Sequence, residues 1–222
     1  MALGSVCNDF GTPGVAEYCY KLDSLAGAER FHRALLNQLL RINQSCTAQD
    51  MLHVAIVGGG ATGTELAAQL HHIANLARAY GMPEMSAKRL KVSIIEAGPR
   101  ILPALPEKIA ASAKNALLKL GVEVLEGAMV SEATEKGFKT KDGQEIDADL
   151  MVWSAGVKAP DFLVDMGIFE TNRANQILVN EYLQSTINNH IFAIGDCCGF
   201  KQKNGNWVPP RAQSAHQMAT TA

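Results

Sequence analysis

The stretch Val54-Ala55-Ile56-Val57-Gly58-Gly59-Gly60-Ala61-Thr62-Gly63 decides the fold. Its first four residues form a short, β-branched apolar run closed by glycines, the pattern of a parallel strand buried on both faces. Its last six match G-x-G-x-x-G, and Leu66, Leu70, Ile73 and Tyr80 then mark one face of a helix from about Thr62 to Tyr80. In that order each glycine has a task. Gly58 permits the tight turn, Gly60 lets a pyrophosphate approach the backbone, and Gly63 lets helix and strand pack closely. The exposed N–H groups and the dipole at the helix start favour negative charge. Without a ligand, the same residues are a Gly-rich turn packing a strand on a helix.

Upstream, the first twenty-two residues read as loop, with Asn8-Asp9-Phe10-Gly11-Thr12-Pro13-Gly14 rich in turn formers. From the N-cap Ser24, Phe31, Leu35, Leu39 and Ile42 recur at helical spacing, and residues 43–50 form a polar connector. Downstream, Val92-Ser93-Ile94-Ile95 is a second strand beyond a connector over 81–90. Pro106 opens a helix with Ile109, Ala113, Leu117 and Leu120 inward and Gly121 as its stop, and Val122-Glu123-Val124-Leu125 is a third strand. Residues 130–149 alternate around Lys141-Asp142-Gly143, a hairpin signal, before a fourth buried strand at Leu150-Met151-Val152-Trp153. The expected fold is α/β: a doubly wound Rossmann-type domain over residues 23–165, with a β-hairpin insertion. Beyond it, only short strands at Ile177–Val179 and 191–194, a polar turn over 201–206 and a helix after Pro210 are expected. That segment has few apolar positions from which to close a core alone.

The 222 residues, 47% hydrophobic and 19% charged, suit a soluble globular protein. With 20 Lys+Arg against 22 Asp+Glu, a net charge of -2 and no basic run beyond Lys88-Arg89, no nucleic-acid partner is expected. Five cysteines without C-x-x-C spacing indicate neither a disulfide framework nor a metal site, and fit a reducing, cytoplasmic setting. No apolar stretch reaches the roughly 18 residues of a membrane span, and no leader pattern opens the chain.

Glu96 ends the second strand, where an acidic residue accepts the ribose hydroxyls of a dinucleotide. It stands further from the glycines than the usual spacing of about 20 residues, because the helix and connector lengthen the path. A carboxylate there repels a 2′-phosphate by roughly 1 to 4 kcal/mol at 4 Å, so NADH is expected over NADPH, although Arg100 lies near. On this reading Glu96→Arg trades NADH for NADPH. Glu96 can also be a solvated strand end. Glu65, read as the third helix residue, either suits the helix N-terminus by its charge or faces the nicotinamide or flavin ring. Ser154-Ala155-Gly156 closes the fourth strand with small residues, leaving room for a flat ring or pyrophosphate, or merely ending the strand.

Four motifs together resemble the type II NADH dehydrogenases, FAD-dependent flavoproteins with two dinucleotide domains. They are 54–70, Glu96-Ala97-Gly98-Pro99-Arg100-Ile101-Leu102-Pro103, Val152-Trp153-Ser154-Ala155-Gly156-Val157-Lys158-Ala159-Pro160, and Ile191-Phe192-Ala193-Ile194-Gly195-Asp196-Cys197. The resemblance implies a peripheral, non-proton-pumping enzyme that passes a hydride from NADH to FAD and electrons to a membrane quinone. It assigns Gly58, Gly60, Gly63, Glu96 and Gly156 to NADH and Glu65 to the nicotinamide side. Asp196 resembles the residue that binds the FAD ribityl chain. Ala212-Gln213-Ser214-Ala215-His216-Gln217 is similar to an A-Q-x-A-x-Q segment whose glutamines, here Gln213 and Gln217, border the flavin and the quinone entry.

The resemblance also implies a division: residues 1–22 as the end of an FAD-binding domain and linker, 23–165 as the NADH-binding domain, and 166–222 as part of the FAD-binding domain's return. A second Gly-rich strand-turn-helix and C-terminal amphipathic helices belong to the family pattern, so the sequence reads as an internal fragment, with membrane contact expected for the full-length form and a homodimer compatible. No C-x-x-x-x-C follows the glycine motif, which disfavours a dithiol reductase. A non-catalytic NADH-binding fragment is the alternative. A methyltransferase, which also places an acidic residue after the second strand, is disfavoured by Ile194-Gly195-Asp196 and the hairpin before Leu150.

Overall fold

The computed structural model describes residues 1–45, 47, 50–83 and 87–222. Cys46, in the connector read over 43–50, and residues 84–86, in the connector read over 81–90, lie outside the described residues. The chain forms two compact units, one of Asp9–Ala155 and one of Met1–Asn8 with Gly156–Ala222.

In the larger unit the strands are β1 (Cys19–Lys21), β2 (Leu52–Val57), β3 (Leu90–Glu96), β4 (Glu123–Glu126), β5 (Val130–Thr134), β6 (Gly137–Thr140), β7 (Glu145–Asp147) and β8 (Leu150–Trp153). Three long helices, α1 (Leu25–Gln44), α2 (Ala61–Ala79) and α3 (Glu107–Leu120), connect them. Five strands form a parallel sheet in the order β1-β8-β2-β3-β4. Parallel pairing needs crossover connections: α2 joins the paired β2 and β3, α3 joins β3 and β4, α1 carries the chain from β1 to β2, and the 130–147 insertion leads from β4 back to β8. One face of the sheet, carrying Val54, Ile56, Val92, Ile94 and Val152, shares a single core with Leu35, Leu39, Leu70 and Leu117 of the helices. The 130–147 insertion is an antiparallel β5-β6-β7 meander. Its buried Phe138 lies 6.4 Å, ring to ring, from Trp153 of β8. The sheet therefore has helices against one face, while the insertion meets Trp153 from the other.

Three expectations change in the larger unit. Residues 1–22 are not all loop: Val15–Tyr18 is a helical turn, and Cys19–Lys21 is the outer strand of the sheet. Such a strand is too short to show alternation and is specified by its pairing with Met151–Trp153. Tyr80 is 81% exposed beyond the end of α2, whose inward face is made instead by Gly63, Ala67, Leu70, Ala74 and Ala77. Ile109 and Leu120 are exposed, and α3 buries only Ala110 and Leu117 fully, because it flanks the edge of the sheet and needs only a narrow stripe.

The smaller unit is built from short pieces. Val6–Cys7 pairs antiparallel with Val157–Lys158, and Ile177–Leu178 pairs parallel with Cys198–Gly199. The segment read as a strand at 191–194 contributes only an isolated bridge, Phe192 to Gln184. A core nevertheless closes around Leu163, Ile177, Val179, Leu183, Cys197 and Met218. The N-terminal residues brace it: the Ile194 N–H donates to the Met1 carbonyl at 2.9 Å, and the Leu3 N–H to Cys197 Sγ at 3.3 Å. Ala212–Thr221 is helical, as the sequence indicates after Pro210.

Candidate functional site

Strand β2 ends at Val57, opposite Ile95 of β3 and Trp153 of β8. The chain then turns into α2. Gly58 has φ +107°, and a Cβ there would sit 2.7 Å from the Ala155 backbone nitrogen. At Gly63, in the first turn of α2, a Cβ would sit 2.0 Å from the Gly58 carbonyl oxygen. The protein's own packing thus demands both glycines. Gly60 is different: its φ is −73°, open to any residue, and a Cβ there would meet nothing within 4 Å. Gly60 is also the N-cap of α2, and among the described residues no side chain caps that end. Bare N–H groups at a helix start beside an empty backbone surface constitute an anion-accepting arrangement.

The half-buried Glu96 does more than end β3. Its Oε2 accepts the Gly59 N–H at 2.6 Å and its Oε1 accepts the Gly98 N–H at 2.6 Å. The carboxylate is therefore fixed against the glycine turn. Arg100 turns back on its own loop, donating to the carbonyls of Leu102, Pro103 and Leu105 at 3.1, 2.9 and 3.0 Å. Ser154 Oγ donates to the Val57 carbonyl at 2.9 Å, tying the end of β8 to the start of the turn.

A cavity of about 580 Å³ opens at the carboxyl ends of β2, β3 and β8, bounded among others by Phe10, Gly58, Glu96, Ala128, Lys141 and Trp153. That volume suits a small-molecule site, and this edge of a parallel sheet is where such folds bind ligands. Phe10 and Lys141 escape a reading of the sequence, where they appear only as loop and turn residues. Tertiary closure brings them here. A φ of +54° at Phe10, rare for a bulky side chain, is the local sign that something unusual is built there.

The remaining candidates are placed as follows. Glu65 is exposed in the second turn of α2, since the helix opens at Ala61; its first turn holds no acidic residue, which removes the helix-start reading of that charge. Gly156, with φ +68°, belongs to the smaller unit and its carbonyl accepts the Asn8 N–H at 3.3 Å. Asp196 lies in a short 3₁₀ turn, Gly195–Cys197, where its carboxylate accepts Ser5 Oγ at 2.8 Å and its carbonyl accepts Gln176 Nε2 at 2.9 Å. The helix Ala212–Thr221 packs on that turn through Ala215 and Met218, the latter's sulfur accepting the Gly195 N–H at 3.3 Å. Gln213 and Gln217 of that helix are exposed. Cys198 is buried, and burial, with Cys197 adding to it, pushes its thiol up to about 12. It is an inert thiol rather than a redox group.

The comparisons with known proteins agree with this architecture. A family model described as pyridine nucleotide-disulphide oxidoreductase matches residues 1–219. The type II NADH:quinone oxidoreductase of Haemophilus influenzae is 44% identical over 99% of this chain and 52% of its own length. An external alternative NAD(P)H-ubiquinone oxidoreductase B1 of Arabidopsis thaliana mitochondria is 33% identical over 91% of this chain and 37% of its own. The chain thus spans about half, or less, of these curated relatives. The structure of NDH2 from Plasmodium falciparum in complex with NADH matches with a TM-score of 0.80 at 25% identity, over 91% of this chain and 44% of that one. These matches leave no place for the methyltransferase reading. A parallel sheet with a glycine turn at its carboxyl edge, and a sequence match over nearly every residue, make the chain a member of the pyridine nucleotide-disulphide oxidoreductase family.

Proposed function

We propose that this chain binds NADH across the carboxyl ends of β2 and β3, as the NADH-oxidising part of an FAD-dependent NADH:quinone oxidoreductase. The observation that carries the reading is Gly60. It is the glycine of the turn that the fold does not require, so its missing side chain serves a ligand. In this reading the pyrophosphate lies on the Gly60 backbone against the uncapped start of α2, and Glu96 accepts the ribose hydroxyls. Gly58 and Gly63 shape the turn that makes the approach possible. Glu65 stands on the nicotinamide side. Asp196, held by Ser5, is the flavin-side anchor, and Gln213 and Gln217 border the flavin and the quinone entry. FAD, when bound, supplies a hydride acceptor that can pass electrons on to a quinone. The chain's residues contribute orientation and proximity, from which much of a hydride-transfer rate derives.

The relatives' names support NADH and a quinone as the substrates. Among the described residues no helix is long and apolar enough to cross a membrane. Peripheral attachment is proposed for a protein of the relatives' full length, about half of which this chain spans. The test is the visible absorption of the purified chain incubated with FAD, before and after anaerobic NADH. Retained flavin that bleaches supports a working reductive half-site. NADH quenching without retained flavin reduces the chain to a nucleotide-binding unit, and no NADH binding at all defeats the reading.

A further inference from the structure

We infer that Glu126 is a positioning residue of the coenzyme site, holding the glycine turn and Glu96 in place through the 97–105 loop; this rests on the NADH reading above. Glu126 ends β4 in register with Glu96 of β3, while its side chain reaches past Glu96 and the glycines to other partners. Its side chain is only 17% exposed and is used completely: Oε1 accepts the Ile101 N–H at 2.9 Å, and Oε2 accepts Lys114 Nζ of α3 at 2.5 Å. Ile101 is 1% exposed, and its Cγ2 lies 2.7 Å from where a Cβ on Gly59 would be, so it backs directly onto the turn.

The next residue completes the clamp. Leu102, held at φ +49°, donates its N–H to the Gly59 carbonyl at 2.7 Å. The Gly59 N–H meanwhile points to Glu96 Oε2 at 2.6 Å. Both polar groups of Gly59 are thus engaged, one by the ribose acceptor and one by the loop that Glu126 anchors. On the other side the Gly98 carbonyl accepts the Gly127 N–H at 2.8 Å, and the Glu96 carbonyl accepts the Ala128 N–H at 3.0 Å. A bulky residue at positive φ persists only where its surroundings over-determine it, and the Glu126 contact to the preceding residue is part of that determination. The same loop keeps Arg100 bonded to its own carbonyls, so that no loop cation is offered to a 2′-phosphate.

Releasing the loop should therefore do two things at once: loosen the turn and narrow the preference for NADH over NADPH. In Glu126→Ala, hydrogen exchange at the Gly59 and Leu102 amides should accelerate, and NADH affinity should fall about tenfold, the order expected for one buried contact left unmade. The NADH to NADPH preference should shrink in the same variant. Glu126→Gln keeps an oxygen for the Ile101 N–H and should restore most of both properties. Unchanged exchange at Gly59 and Leu102 overturns the inference. So does an equal loss of both coenzymes accompanying a lower Tm, the signature of a purely structural residue. If Glu126→Ala does not fold, Lys114→Met is read by the same measurements, with smaller changes in the same direction expected and no change decisive against. A wild-type chain that does not bind NADH defeats the functional reading, while the exchange comparison still decides the role of Glu126.

Discussion

Glycine substitutions separate the residues that the fold needs from the one that a ligand needs. Gly58→Ala must place a side chain at φ +107° and against the Ala155 backbone, which should cost about 1–3 kcal/mol from strain alone and lower Tm. Gly60→Val, at an ordinary φ and in open space, should melt within about 1 kcal/mol of wild type yet lose NADH binding. A fluorescence titration beside a thermal melt tests both, and retained affinity in Gly60→Val would place the pyrophosphate elsewhere. At Glu96 the structure reverses the expectation drawn from sequence. An arginine there would leave the Gly59 and Gly98 N–H groups without their acceptor, at about 1–3 kcal/mol each if they stay buried. Glu96→Arg should therefore lose stability and NADH without gaining NADPH. Improved NADPH binding in a stable variant would show that these bonds are dispensable. The glycine pattern was legible because its chemistry is local; the double duty of Glu96 was not, because Gly59 lies 37 positions away in the chain.

At the scale of elements, α2 carries an internal cost. His71 is 3% exposed, and neither ring nitrogen has a hydrogen-bond partner among the described residues. Burial holds its pKa below the ordinary histidine value. A lowered folded value means that the unfolded chain takes up the proton first. The protonation penalty is absent above the unfolded pKa of about 6.5, and further stability is lost as pH falls from there toward the folded value. His71→Leu should raise stability by about 1–3 kcal/mol at neutral pH, since it removes buried polar atoms that make no bond. Its advantage in Tm should widen between pH 7 and pH 5; a constant gap would mean that the imidazole is not desolvated. The helices themselves were readable from the spacing of Phe31, Leu35, Leu39 and Ile42, all of which are buried. Their inward faces were less so. Alanines replace Tyr80 on α2, and Ile109 points outward on α3, because the width of a helix's apolar stripe depends on what lies beneath it rather than on its own sequence.

For the whole molecule, acid should act on Glu126 as well as on His71. Burial raises the Glu126 pKa, but the Lys114 and Ile101 contacts outweigh it and hold the carboxyl below its ordinary value. The stability it lends is present above the unfolded value and is lost as pH falls through the lower, folded one. The Tm gap between wild type and Glu126→Gln should accordingly be open at pH 7 and close in the acid range below the ordinary glutamate pKa; a pH-independent gap would show that the charge is immaterial. The parallel sheet, its insertion and the final helix were all legible at this scale from hydrophobic runs and turn signals. The outer strand Cys19–Lys21 and the support of the 192–197 segment by Met1, Leu3 and Ser5 were not, since each exists only by pairing with residues at the far end of its unit.

The order β1-β8-β2-β3-β4 also bears on how the molecule is made. Cys19–Lys21 and Leu52–Val57 leave the ribosome before Leu150–Trp153, yet they never touch each other in the sheet; both pair with that strand, the last of the five to emerge. Until then the nascent chain carries two open strand edges, one on each side of a missing middle. Closing them is a long-range event of the slow kind, so translation speed and chaperone access around residue 153 should govern the yield of native protein more than any early step.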